Sequence, residues 1–117
     1  NNRPNRIEGN RANNQLSGRQ GDDTLIGGAG DDVLGGGSGD DLLIGGEGAD
    51  LFEFSTGQDV IRDFNLIEGD LINVDDPGLV RFSPSSLGVM LSIEGSRGAL
   101  LLESVSSEEL IDHDIVV

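Results

Sequence analysis

From Gly18 to Glu53 the chain repeats itself every nine residues: GRQGDDTLI, GGAGDDVLG, GGSGDDLLI, GGEGADLFE. Few architectures accept so short a period. Position four is glycine in all four units (Gly21, Gly30, Gly39, Gly48) and position six is aspartate (Asp23, Asp32, Asp41, Asp50). Position eight is large and apolar (Leu25, Leu34, Leu43, Phe52). The phase runs on through Phe54–Arg62, which keeps Gly57, Asp59 and Ile61, and back through Gly9–Ser17, where Asn14 replaces the acid and Leu16 remains. Asn5 and Ile7 hold positions six and eight of a still earlier unit.

Each unit reads as a glycine-rich turn followed by a three-residue strand. Such a strand does not stand alone. If successive units alternate between the two sides of a flattened coil, position eight always points inward. Leu25, Leu34, Leu43 and Phe52 then stack into a narrow core, closed by Leu16 and Ile61. Burying each contributes about 1.5–3 kcal/mol. Ordering the backbone costs about 1–2 kcal/mol per residue, and glycine loses most. Apolar burial therefore does not fold this segment unaided. Stacking also lines up the position-six acids with like charge. A cation between turns relieves both difficulties. Ca²⁺ takes six to eight oxygens from carboxylates and carbonyls, whereas Mg²⁺ demands a tight octahedron. Zn²⁺ favours Cys and His; the chain has no Cys, and its lone His113 lies outside the repeat, where it reads as a tail residue.

The net charge of −15 and a pI near 4.1 speak against nucleic acid and anionic membranes as partners. No apolar run approaches the ~20 residues that span a bilayer, so no membrane insertion is expected. Only 3% of residues are aromatic, so Leu, Ile and Val must build the core, with Phe52, Phe54, Phe64 and Phe82 packing coil against cap. Asp22, Asp31 and Asp40 at position five read as solvent-facing charge. Arg3, Arg6, Arg11 and Arg19 read as a solvated face, with an acidic glycan or a neighbouring subunit as the alternative. No secretory signal opens the chain and residue 1 is Asn, which reads as a fragment or processed product of a longer protein.

The units GGAGDDVLG, GGSGDDLLI and GGEGADLFE resemble the RTX nonapeptide, G-G-x-G-x-D-x-U-x with U large and apolar. The resemblance implies an all-β fold: a calcium-filled parallel β-roll, two units per coil, followed by a β-rich carboxyl-terminal cap. It divides the chain into residues 1–62, the roll with atypical amino-terminal capping repeats, and 63–117, the cap with a secretion-signal region. It implies ions held between a loop and the loop two units on, by carbonyls except at Asp. One ion would join Arg19, Gly21 and Asp23 with Gly36, Ser38 and Asp41. A second would join Gly28, Gly30 and Asp32 with Gly45, Glu47 and Asp50. A third would join Gly37, Gly39 and Asp41 with Phe54, Thr56 and Asp59. A fourth set would be Asn10, Ala12 and Asn14 with Gly27, Ala29 and Asp32, where Asn14 lacks the charge; Asn5 and Asn14 would instead stack as an amide ladder.

After Arg62 the nine-residue phase is lost, and β-forming stretches follow at Asp70–Val74, Leu79–Phe82, Leu87–Ile93, Ala99–Glu103 and Ile111–Val117. Asp76-Pro77-Gly78 signals a turn, and Ser106–Glu109 fits a capping box. Gly48–Phe54 followed by Asp59–Phe64 resembles the family's GADxFxF and DxIxDF junction, and Gly69–Ile72 its G-D-x-I strand. The terminal Asp114, Ile115, Val116 and Val117 resemble the end of proteins exported by type I secretion; the alternative is a plain edge strand.

Catalysis finds no footing: one His, no Cys, carboxylates committed to the repeat, and no base near a Ser. An enzyme would lie upstream in a longer parent. Two function classes stay open. One is a non-catalytic module of a secreted, extracellular or cell-surface protein that folds on calcium and supports type I export, with the export machinery as a passing partner. The other is a self-associating structural or adhesive subunit of a surface layer or filament.

Overall fold

Among the described residues eleven short strands, β1 (Arg6–Glu8), β2 (Gln15–Ser17), β3 (Thr24–Ile26), β4 (Val33–Gly35), β5 (Leu42–Ile44), β6 (Leu51–Glu53), β7 (Gln58–Ile61), β8 (Leu71–Asn73), β9 (Val80–Pro84), β10 (Gly88–Ile93) and β11 (Ala99–Glu103), make up the regular structure. They come from a computed structural model that describes residues 3–74, 80–93, 98–103, 105 and 116. Odd and even strands of the repeat separate into two parallel sheets. One runs β1-β3-β5-β7 and continues into β11-β10-β9; the other runs β2-β4-β6-β8. The fold is the parallel β-roll.

Register follows the repeat. Ile7 faces Leu25, Leu25 faces Leu43 and Leu43 faces Ile61 in one sheet. Leu16, Leu34 and Phe52 face one another in the other. Partners are 18 residues apart, two units per coil. Only the central residue of each strand from β3 to β6 is buried, because side chains alternate across a strand and the central one is position eight. Leu25, Leu34, Phe52, Ile61 and Ile72 are fully buried, and Leu43 nearly so. Ile7 and Leu16 are partly buried at the amino end of this stack.

The turns between strands rest on left-handed glycines. At position two Gly37 has φ +84, and at position four Gly39 has φ +105. A side chain at either would collide with the carbonyl of the loop below, Arg19 or Gly21. Arg19 holds position two in the same conformation at φ 72, the one non-glycine with positive φ among the described residues.

The coil does not stop where the nine-residue phase does. β8 pairs with β6 in parallel, Phe52 facing Ile72, at a separation of 20 rather than 18 residues. Residues 63–73 are thus one more unit carrying a two-residue insertion, with Asp70 and Ile72 in the roles of positions six and eight. The cap is likewise fused to the roll. β11 adds to β7 in parallel, Leu102 facing Ile61, and the antiparallel pairs β11–β10 and β10–β9 extend the sheet. Val89, Leu91, Leu100 and Leu102 carry the core onward.

Several expectations are adjusted here. Phe52 and Phe64 are core, with ring centroids 6.0 Å apart, and Phe54 is partly buried. Phe82 is 43% exposed on the edge strand β9, and Leu87 lies outside β10 at 65% exposure. Of the terminal tetrapeptide, Val116 bridges Ile72 and packs on the core. Asp114, Ile115 and Val117 lie outside the described residues, as do the Asp76–Gly78 turn and the Ser106–Glu109 box.

Leu43 sits midway in the stack, so Leu43→Ala is expected to cost about 2–5 kcal/mol. Denaturant unfolding in saturating calcium measures it; a loss below about 1 kcal/mol would mean the site collapses without a cavity.

Candidate metal centre

Two flanks of loops line the coil. Asp23, Asp41 and Asp59 stack along one, and Asp32, Asp50 and Asp70 along the other. All six are buried, at 1–4% exposure. Their carboxylates act as rungs. Oδ1 of each accepts the backbone N–H of the residue one coil earlier: Asp41 from Asp23 at 2.8 Å, Asp50 from Asp32 at 2.9 Å and Asp59 from Asp41 at 2.9 Å. Asp23 and Asp32 take the amides of Asn5 and Asn14 in the same way, at 2.8 and 2.7 Å.

The second oxygen tells the sites apart. Oδ2 of Asp23, Asp32, Asp41 and Asp50 is buried without a hydrogen-bond partner. A buried carboxylate oxygen with no donor is costly. Around these atoms the backbone is acceptor-rich. A Cβ on Gly18 would meet Asp23 Oδ2 at 2.6 Å and the Gly36 carbonyl at 2.7 Å. On Gly27 it would meet Asp32 Oδ2 at 2.6 Å and the Gly45 carbonyl at 2.6 Å. The carbonyls of Gly28, Gly30 and Gly39 face Gly46, Gly48 and Gly57 of the next loop, as those of Arg19 and Gly21 face Gly37 and Gly39. Unpartnered carboxylate oxygens beside converging carbonyls, in cradles that only glycine leaves open, fit a hard, oxygen-seeking cation. Among the described residues no three His, Cys, Asp or Glu side chains gather closely enough to hold a metal. A cation in these cradles would be met by carbonyls besides the aspartates.

The expected ligand residues fall where two loops meet. Arg19, Gly21 and Asp23 lie under Gly36, Ser38 and Asp41; Gly28, Gly30 and Asp32 lie under Gly45, Glu47 and Asp50; Gly37, Gly39 and Asp41 lie under Phe54, Thr56 and Asp59. Arg19, Ser38, Glu47 and Thr56 are exposed; the Arg19 carbonyl faces Gly37 and accepts the Ser38 amide at 2.8 Å. Toward the ends the corresponding oxygen, the only one in the case of Asn14, is taken by protein. Asn14 Oδ1 accepts from the Asn10 amide at 2.8 Å, Asp59 Oδ2 from the Ser55 hydroxyl at 2.9 Å, and Asp70 Oδ2 from the Asn65 amide at 2.8 Å. Asn14 thus has its own partner, and it stacks under Asp32, not on Asn5, so the expected Asn5–Asn14 ladder does not form.

Sequence reasoning missed a second ladder. The position-five acids are exposed but ordered: Asp22 Oδ1 accepts from the Asp40 amide at 2.8 Å, Asp40 from Gln58 at 2.8 Å, and Asp31 from Ala49 at 2.9 Å. Asn13 does the same for Asp31 at 2.8 Å. The only signal was Asn or Asp at position five of consecutive units.

Burial pushes the carboxyls of Asp50 and Asp59 up to about 7 and that of Asp70 up to about 6, and neighbouring carboxylates add to the shift. Asp41 is raised by the same causes.

The chain was compared with known proteins. The sequence model of the RTX calcium-binding nonapeptide repeat, four copies, matches residues 1–34 and 36–61. No curated protein matches the sequence. Among solved structures, the fold is similar to the AlgE6R3 subunit of the Azotobacter vinelandii mannuronan C5-epimerase, with TM-score 0.69 and 25% identity over 99% of this chain and 78% of that one. The AlgE6R2 subunit of the same enzyme is similar at TM-score 0.57 and 25% identity, over 95% of this chain and 91% of that one.

The raised carboxyls set a pH dependence. Without metal, the folded acids bind protons up to about pH 7, whereas unfolded ones release them near 3.8. The proton-linked stability of the metal-free roll is thus full below about pH 4 and lost as pH rises through about 7. In chelator, β-structure by circular dichroism is expected to grow on acidification through this window. With calcium the dependence reverses, because the ion displaces those protons. Calcium affinity falls toward acid, and binding releases protons measurable by calorimetry in buffers of different ionisation enthalpy. Calcium affinity unchanged between pH 8 and 5 would contradict this.

Proposed function

This chain belongs to the family of RTX calcium-binding nonapeptide repeats, and from that premise we propose that calcium is what folds it. The roll is a non-catalytic, calcium-binding β-roll. Three ions would sit at the junctions Asp23/Asp41, Asp32/Asp50 and Asp41/Asp59. Each would be held by carbonyls of positions two and four below and one and three above, besides the aspartates. The observation that carries the reading is the row of buried Oδ2 atoms without donors. The ion supplies the positive charge that they lack.

In this proposal the protein is a disorder-to-order switch. Where free calcium is scarce, −15 of charge and 19 glycines keep the chain open. Where calcium is abundant, binding to the folded state alone converts into folding free energy. An open, threadable chain suits export by type I secretion followed by folding outside the cell. The likeness to subunits of an epimerase supports an accessory place beside a catalytic domain of a longer polypeptide.

A second reading, an assembling extracellular subunit, draws on the amino-terminal end of the roll. Among the described residues β1 and β2 stand at sheet edges, and Ile7 and Leu16 are only partly buried. Such an end accepts a further parallel strand on each sheet.

Calcium titration of this chain at neutral pH, followed by circular dichroism and sedimentation, tests both. A cooperative coil-to-β transition with Ca²⁺, absent at equal Mg²⁺, is expected, with a monomeric product for the accessory module and calcium-dependent polymers for the subunit. A chain fully folded in chelator at neutral pH would overturn the switch.

A further inference from the structure

The seven-stranded sheet ends on β9, and among the described residues no strand or bridge adds to its far side. The register with β10 fixes what that edge offers. At the hairpin turn Ser85 and Gly88 exchange both backbone hydrogen bonds, at 2.8 and 3.4 Å. Bonded and non-bonded pairs alternate along an antiparallel ladder. Ser83 opposite Met90 and Arg81 opposite Ser92 are therefore bonded pairs, and Val80, Phe82 and Pro84 turn their backbone groups to the open edge. The same three residues stand opposite Ile93, Leu91 and Val89. Their side chains thus lie on the inner face of the sheet, where Leu91 and Val89 are fully buried. The other sheet has only four strands to cover these seven. Phe82 stays 43% exposed, and residues 81–84 are exposed throughout.

Two features mark this edge as a contact surface. One is charge. The chain carries −15, yet residues 80–93 hold a single charged side chain, Arg81. Two such edges meet without the repulsion that the acid rows would bring. The other is sequence. Read antiparallel against itself about Phe82, Val80-Arg81-Phe82-Ser83-Pro84 is self-complementary. Phe82 meets Phe82, Val80 meets Pro84 and Arg81 meets Ser83. Apolar side chains gather on the inner face, and the amides of Val80 and Phe82 find acceptors in Pro84 and Phe82 of the other copy. Pro84 has no N–H and ends the ladder. A register centred on Arg81 would instead set two guanidiniums directly opposite each other, which is destabilising.

We propose that β9 is a homodimer interface: two folded chains join edge to edge, β9 antiparallel to β9 about a two-fold axis at Phe82, into one continuous sheet. A two-fold contact uses the same edge on both chains and so closes it, unlike strand addition at β1 and β2. Strands of five residues bury less than the roughly 1,200 Å² of a stable interface. The dimer is therefore transient. It forms on concentration and leaves the chain monomeric at the dilution of a calcium titration.

Sedimentation velocity in saturating Ca²⁺, from ~10 µM to ~1 mM chain, is expected to show monomer giving way to dimer. Phe82→Asp sets two carboxylates opposite each other across the axis and is expected to weaken association at least about tenfold. Phe82→Arg does the same with two guanidiniums. An equimolar mixture of the two variants restores dimer, because residue 82 faces residue 82 in this register alone. Phe82 lies outside the buried core, so both variants keep the circular dichroism of the parent. Monomer across the whole range would overturn the proposal, and so would association that persists in Phe82→Asp alone. A dilution series of the unsubstituted, isotope-labelled chain followed by NMR needs no variant. The amides of Val80 and Phe82 are expected to shift more than those of Arg81 and Ser83, which bond within the sheet. Shifts centred on residues 6–17 would put the contact at the amino-terminal end of the roll and overturn the proposal as well.

Discussion

A carboxylate oxygen buried with no donor is among the least favourable groups that a small domain can hold. Here four occur in register, flanked by carbonyls that are acceptors themselves. Everything else in the roll is arranged around that deficit of positive charge. Glycine at positions two and four lets consecutive loops approach until carbonyl faces backbone. Position one is glycine in the central units because a Cβ there would fall onto the carboxylate. The three-residue strands bury one side chain each, too little to hold such loops together against repulsion. The calcium-binding role of the repeat follows from the same atoms as the architecture.

The two hydrogen-bond ladders run in opposite directions. Position-six carboxylates accept from the coil before them, and position-five carboxylates from the coil after. The junctions Asp23/Asp41, Asp32/Asp50 and Asp41/Asp59 are stitched both ways, by one buried and one exposed carboxylate. In a stack where each coil touches only its neighbours, stability is a sum of coil and interface terms.

Much of this was legible in the sequence, because a nine-residue period ties position number to environment. Position eight became the core and position six the buried acid, from Asp23 to Asp59, without exception. What stayed hidden came from breaks in that period. The insertion at 63–70 destroys the phase while preserving the stack, and its trace was only Asp70-Leu71-Ile72, which keeps the spacing from acid to core residue. The parallel pairing of β11 with β7 joins residues 41 apart, a long-range choice that local patterning does not encode. Phe82 was read as core from its type alone; the sheet of seven strands outruns its partner of four, and the edge strand is left half-covered.

The ends of the roll explain why the repeat can stop. A stack of identical junctions would leave its last carboxylate unpartnered. At the amino end an amide replaces the acid at Asn14, and the Asn10 backbone satisfies it. At the carboxyl end Ser55 and Asn65 supply donors to Asp59 and Asp70, and the sheet passes into β11 and β10, whose Leu100, Leu102, Val89 and Leu91 bury apolar surface with no acid row beside them. The acid-lined roll and the cap without an acid row thus meet within one continuous sheet, at β7. Whatever folds first, the cap offers Ile61 a hydrophobic partner in Leu102, and the roll offers the cap a template edge. Termination is achieved by giving the last oxygens donors, and that local change lets a charge-laden repeat border an ordinary core.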